Sequence, residues 1–141
     1  MREITNYLNF DGNCGEAMKF YSKCLDGELF MMPFSQFPEQ CGEMPKEAGE
    51  RVMHARLTKG SAVIMASDTP PGMPLHQGNN FSLSITCDSV EEADRLFAAL
   101  GENGKVVMPM QDMFWGDYWG MCTDQFGINW MFSYQKTPHV S

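Results

Sequence analysis

FWGDYWGMCTDQFGINWMF, running from Phe114 to Phe132, holds all three tryptophans of the chain, with phenylalanines at Phe114 and Phe126 and glycines at Gly116, Gly120 and Gly127. Read with a period of two, Tyr118 to Thr123 makes one strand and Ile128 to Tyr134 a second. Asp124-Gln125-Phe126-Gly127 is the turn between them, where Gly127 can take the positive φ that a tight reversal needs. So much aromatic surface in one hairpin either covers a core or walls a pocket, and for any single ring the core is the commoner use.

This hairpin closes a pattern that the chain uses twice. In the first half, Ile4 to Phe10 alternates, with Ile4, Leu8 and Phe10 on one face and Thr5, Tyr7 and Asn9 on the other. Asn13-Cys14-Gly15-Glu16 has the form of a capping box. Ala17, Phe20, Tyr21, Cys24 and Leu25 follow at helical spacing, and Gly27 ends the helix. Glu28 to Phe34 reads as a strand, 35–50 as a long loop rich in Pro, Gly and acid, and Arg51 to Thr58 and Ala62 to Ser67 as strands joined at Lys59-Gly60-Ser61. Asp68 to Asn79, with three prolines and two glycines, is a linker.

The second half repeats the order. Asn80 to Cys87 is a strand with Phe81, Leu83 and Ile85 on one face, and Ser89-Val90-Glu91-Glu92 is a second capping box. Val90, Ala93, Leu96, Phe97 and Leu100 make a helical stripe that Gly101 ends, Lys105 to Met110 is a strand, and Gln111 to Gly116 a loop. Glu16-Ala17-Met18-Lys19-Phe20-Tyr21 aligns by residue class with Glu92-Ala93-Asp94-Arg95-Leu96-Phe97 in five of six positions, and the Lys59-Gly60 turn aligns with Phe126-Gly127.

At 141 residues the chain is of single-domain size. Its net charge of −8, with no long basic cluster, speaks against a nucleic-acid partner. No apolar run approaches the roughly 20 residues of a membrane helix, and MREITNYLNF lacks the apolar core of a signal peptide. Five cysteines without a CxxC spacing point to reduced thiols and a cytoplasmic location.

Four stretches carry a family resemblance. They are Tyr7-Leu8-Asn9-Phe10 with Gly12-Asn13-Cys14, His54-Ala55-Arg56-Leu57, Met65-Ala66-Ser67-Asp68, and Phe114-Trp115-Gly116 leading to Thr123-Asp124-Gln125-Phe126-Gly127-Ile128-Asn129-Trp130. In this order they resemble the vicinal oxygen chelate superfamily of glyoxalases, bleomycin-resistance proteins and dioxygenases. More narrowly they resemble its PhnB-like branch, which often carries the label 3-demethylubiquinone-9 3-methyltransferase-like. The resemblance implies an α+β fold of two tandem βαβββ modules in one glyoxalase-like domain, about 1–68 and 80–134, with a linker at 69–79 and a tail at 135–141. It implies concave sheets around a cavity, helices outside, a small-molecule ligand and a homodimer.

On that fold Ile4, Leu8, Phe10, Phe81, Leu83 and Ile85 are expected under the helices. Thr5, Tyr7, Asn9, Asn80, Ser82 and Ser84 are expected to face the cavity, together with His54, Arg56, Ile64, Trp119, Met121, Asn129, Met131 and Ser133. The superfamily's metal-ligand positions carry over to Thr5, Ile64, Asn80 and Met131. None is a histidine or carboxylate, so neither a metal nor another cofactor is expected. The methyltransferase label finds no Gly-rich strand-to-helix turn to support it.

Two residues are candidates for proton transfer. His54 is either a general base or ligand-orienting donor, or a hydrogen-bonded interior histidine. Asp117, beside Trp115, is either an acid–base group or a solvated carboxylate. Tyr7, Asn9, Arg56, Trp115, Trp119, Met121 and Met131 are the candidate ligand contacts, with Trp115 at the cavity mouth. His76 and His139 are expected in solvent. The function is then a metal-independent enzyme acting on a small polar or aromatic metabolite, or a binding protein that sequesters one without chemistry.

Overall fold

A computed structural model of the chain describes residues 1–42, 44–70 and 72–136. Its contacts gather into two compact units, Met1–His76 and Gln77–Ser141. The first contains β1 (Leu8–Phe10), α1 (Cys14–Leu25), β2 (Glu28–Pro33), the single-turn helices α2 (Pro38–Cys41) and α3 (Lys46–Gly49), β3 (Val52–Lys59) and β4 (Ala62–Asp68). The strands lie in the order β1-β4-β3-β2, with β1 parallel to β4 and the other pairs antiparallel. Helix α1 covers one face, burying Cys14, Ala17, Met18 and Tyr21 with Leu8, Phe10, Ala55, Leu57, Ile64 and Ala66 of the sheet. Side chains as large as Phe10, Met18 and Leu57 each contribute about 1.5–3 kcal/mol by such burial.

Three local expectations need correction in this unit. The first strand begins only at Leu8, and Ile4 is 87% exposed rather than under the helix. Asn6 instead donates its side-chain amide to the Val63 carbonyl at 2.8 Å, a side-chain bond where a longer strand would use backbone. Asn13 makes no side-chain cap bond, so the first capping box does not form. The buried carboxylate of Asp68 does that work from the end of β4: it accepts from the backbone N–H groups of Gly12 at 2.8 Å, Cys14 at 2.9 Å and Val52 at 2.8 Å. A negative group there satisfies orphan donors and complements the helix dipole. Finally, α1 ends on Asp26 in the left-handed region rather than on Gly27. Gly27 has a different task, since a Cβ on it would sit 2.8 Å from Leu57 Cδ1 and 2.9 Å from the Thr58 carbonyl oxygen.

The second unit contains β5 (Leu83–Thr86), α4 (Val90–Leu100), β6 (Lys105–Asp112), β7 (Asp117–Thr123) and β8 (Asn129–Gln135), with strand order β5-β8-β7-β6. Both units are therefore βαβββ modules of an α+β fold. Ala93, Leu96 and Leu100 of α4 are buried with Cys122, Trp130 and Phe132 of the sheet, and Phe97 meets Phe132 edge-on at 5.5 Å. Here the capping box forms: Ser89 Oγ accepts from the Glu92 N–H at 3.0 Å, and the Glu92 carboxylate accepts from the Asp88 N–H at 3.0 Å. Phe81 lies before the short β5 and is 69% exposed, against the expectation that it packs under the helix.

The aromatic hairpin is organised by Asp124, which is 3% exposed. One carboxylate oxygen accepts from the N–H groups of Phe126 (2.8 Å) and Ile128 (3.1 Å), and the other accepts from the Trp130 indole at 2.8 Å. Gly127 takes φ +88°, as the reversal requires. Of the tryptophans, Trp130 is the core residue, at 1% exposure.

Candidate functional site

Each sheet has a second face that its own helix does not cover. In the first unit, register places Phe30, Arg56 and Met65 on one rung of that face, with Met32 beside His54 on the next rung of β2 and β3. Asn9 and Ser67 are partners where β1 meets β4. The Tyr7 hydroxyl lies 3.0 Å from His54 Nδ1, and the two rings stack at 5.8 Å with an interplanar angle of 26°. Tyr7 and Phe30 are exposed large rings, at 44% and 58%. Arg56 is exposed, and among the described residues no carboxylate lies within ion-pair distance of it. Arg51, by contrast, is held by Asp11 at 2.8 Å and by the Thr69 carbonyl at 3.3 Å.

The open face of the second unit has a different chemistry. One rung runs Ser84, Met131, Met121, Met108, and the next runs Thr86, Ser133, Trp119, Gln111. Asn129 pairs with Thr123, whose hydroxyl donates to the Asn129 amide oxygen at 2.8 Å. The structure thus brings Trp119, Met121, Met131, Asn129 and Ser133 to one face. Trp115 lies in the Met113–Gly116 turn between β6 and β7, closed by the Met113 N–H donating to the Asp117 carbonyl at 2.8 Å. It is 41% exposed, meets Phe114 edge-on at 4.9 Å, and donates its indole N–H to the Asp117 carboxylate at 3.1 Å. Asp117 therefore orients Trp115. His76 is exposed, and His139 lies outside the described residues.

Ile64 is a correction. It shares a rung with Leu57 on the helix-covered face and is 7% exposed. Counting from the turn glycines fails because the β3–β4 hairpin closes at the Lys59–Ala62 pair and the β7–β8 hairpin at Thr123–Asn129. The loops differ by an odd number of residues, and in a strand an odd slip moves every side chain to the other face. Val63, Met65 and Ser67 are the β4 residues that alternate onto the open face. Thr5, Asn80 and Ser82 lie outside the strands, so they too are not part of a strand face.

The donor set does not fit the superfamily's divalent metal. Ile64 and Met131 offer no hard or borderline ligand, and neither Val63 nor Met65 would replace them. Among the described residues no three His, Cys, Asp or Glu side chains cluster. Cys14, Cys87 and Cys122 are equally unsuited to nucleophilic work. Burial pushes Cys14 up to about 12 with help from the Asp68 charge, Cys87 to about 11 with help from Glu92, and Cys122 to about 11 with help from Asp124. A hollow of about 280 Å³ lies beside the start of α1, lined by Glu16, Glu47, Glu50, Arg51 and Asp68 among others. It includes none of the candidate site residues, and its helix-terminal donors are already taken by Asp68.

Phe30, Met32, Met65, Ser67 and Met108 are open-face residues that sequence reasoning did not single out. Alternation in Glu28–Pro33 and in Met65-Ala66-Ser67 would have found most of them once β3 register was known.

Residues 4–132 match the Glyoxalase/Bleomycin resistance protein/Dioxygenase superfamily. The chain is similar to Protein YjdN of Escherichia coli K12, with 32% identity over 94% of this chain and 95% of that one. Among solved structures it resembles protein PA1353 from Pseudomonas aeruginosa, with 41% identity, TM-score 0.85, and coverage of 97% and 100% of the two chains. It also resembles the PhnB protein from Bacillus cereus, provisionally a 3-demethylubiquinone-9 3-methyltransferase, with 26% identity, TM-score 0.75, and coverage of 94% and 99%. The chain belongs to the glyoxalase/bleomycin-resistance/dioxygenase superfamily and, within it, to the PhnB-like branch.

Proposed function

We propose that this protein binds a small molecule on the uncovered faces of its sheets, without a metal or other cofactor. The observation that carries this reading is the Tyr7–His54 pair beside an Arg56 that has no carboxylate partner among the described residues. Exposed polar and aromatic groups gathered on one uncovered sheet face, with Arg56 unpaired among the described residues, favour ligand contact. Tyr7, Asn9 and Arg56 are the contacts proposed in the first module, and Trp115, Trp119, Met121 and Met131 those in the second. Asp117 is the group proposed to move protons if the ligand is transformed, and His54 is proposed as a general base or as the donor that orients the ligand. A second reading, sequestration without chemistry, is favoured by one observation: Asp117 already accepts from the Trp115 indole and serves to hold that ring.

Native mass spectrometry of protein isolated without denaturation tests the proposal. A stoichiometric small molecule on the chain is the expected result, and incubation of that molecule with the protein decides between turnover and unchanged ligand. Bare polypeptide mass, with no response to any metabolite fraction, contradicts it. The same reading includes a cytoplasmic homodimer, since sheet edges such as β6, with Val106 and Val107 half exposed, favour partnering. Light scattering is expected to give twice 15.9 kDa, and a monomer at micromolar concentration contradicts the dimer.

A further inference from the structure

We propose that the open face of the first sheet is an oxyanion-binding surface, on which Arg56 and a His54 fixed as a hydrogen-bond donor receive a carboxylate or phosphate group of the ligand. This rests on the small-molecule reading above and names the ligand's chemical class.

Tyr7 and His54 are bonded, with 3.0 Å from the hydroxyl oxygen to Nδ1. A phenol oxygen is a poor acceptor because its lone pairs are drawn into the ring, whereas its O–H is a good donor. The unprotonated nitrogen of neutral imidazole is a strong acceptor. The bond therefore runs from Tyr7 O–H to Nδ1, and the single ring proton of neutral His54 sits on Nε2. In that tautomer Nε2 has no lone pair to abstract a proton. His54 presents a donor, and the general-base role expected for it gives way to ligand orientation.

Arg56 lies two residues further along β3 on the same face, about 6.6 Å away along the strand. The chain carries 18 acidic against 10 basic residues, yet among the described residues no carboxylate reaches this guanidinium. Glu28, opposite Thr58, is the acid that register brings nearest, and it makes no ion pair with Arg56. A planar fork of donors left uncommitted in so acidic a chain matches a carboxylate or phosphate. Phe30 and Met65, on the Arg56 rung, supply apolar contact for the rest of such a ligand.

Long-range proton–nitrogen NMR of the full chain reads the His54 tautomer directly. Titrations with inorganic phosphate and, separately, with benzoate then follow the His54 Nε2 and Arg56 Nε signals. The expected results are an Nε2–H tautomer, saturable shifts at both residues with at least one of the two anions, and a half-saturation point raised at least tenfold in R56Q. Tyr7 is exposed, so Y7F keeps the fold; it is expected to redistribute the tautomers and weaken the anion severalfold. The preferred anion tells phosphate from carboxylate. An Nδ1–H tautomer in the unmodified protein, no saturable shift with either anion, or a titration that R56Q leaves unaltered overturns the proposal. If a neutral natural ligand binds and leaves both signals in place, the oxyanion assignment falls while small-molecule binding stands. If no ligand moves any open-face signal in either module, both fall.

Discussion

The two modules share a strand order and a helix but solve the same local problems with different residues. Both must satisfy the backbone donors where the first strand enters its helix. The second does so with neighbours in sequence, Ser89 and Glu92, while the first brings in Asp68 from the far end of the unit. Both must reverse between their last two strands. The first uses a short turn at Gly60-Ser61, and the second a longer loop wrapped around the Asp124 carboxylate. The open faces differ as well: Tyr7, His54 and Arg56 in one, Trp119 and a rung of three methionines in the other. Topology is held by which face is apolar, and the polar groups at strand ends are free to be assigned module by module.

The largest effect that would break this comparison is at the two buried acids. Asp124→Ala orphans three N–H donors, as does Asp68→Ala, and each should cost about 3–5 kcal/mol in urea unfolding. A loss under 1 kcal/mol (on the scale of an exposed hydrogen bond) in either would show that water replaces the carboxylate.

The alkaline limb comes next. Cys14, Cys87 and Cys122 are raised by burial to about 12, 11 and 11, and Tyr118 to about 12 by its hydrogen bond to Asp94 at 2.5 Å. Each group holds its proton more tightly folded than unfolded, so the folded state binds more protons above pH 9 and stability falls as pH rises from there toward 12. Unfolding midpoints that stay flat across that window would contradict the burial of the thiols. Blocked reaction of these thiols with a disulfide reagent at pH 8 is the companion expectation.

A binding measurement sharpens the contrast between the faces. Trp115→Ala should weaken the natural ligand by roughly 1–3 kcal/mol with the fold intact, because the ring is half exposed and held by Asp117 rather than by the core. Unfolding of that variant, or unchanged affinity, removes Trp115 from the site. The smallest effect separates the helix starts: Ser89→Ala should cost about 1 kcal/mol, and Asn13→Ala only a few tenths. Equal losses would mean that Asn13 caps α1 after all.

These contrasts also explain what could be read in advance. Strand and helix order follows from alternation and helical spacing, which are local, and so does the Ser89–Glu92 cap. The Asp68 cap was hidden because its partners, Cys14 and Val52, are distant in sequence and meet only when β4 lies between β1 and β3. Ile64 lies on the opposite face from the one its turn glycine predicts, because the two hairpins differ in loop length by an odd number of residues. His54 and Arg56 were legible as a same-face pair, but the Tyr7–His54 bond depends on the strand order β1-β4-β3.

The uncovered sheet faces are proposed to bind the ligand. The chain's 13 methionines allow this to be tested with methyl-labelled methionine and NMR, by titrating the small-molecule fraction of cells that make the protein. Met32, Met65, Met108, Met121 and Met131 report on the open faces, while Met18, on the buried side of α1, is an internal control. The predicted result is saturable shifts among the open-face methyls with Met18 unmoved. Shifts confined to other methionines, or no shift at any open-face methyl, would contradict it.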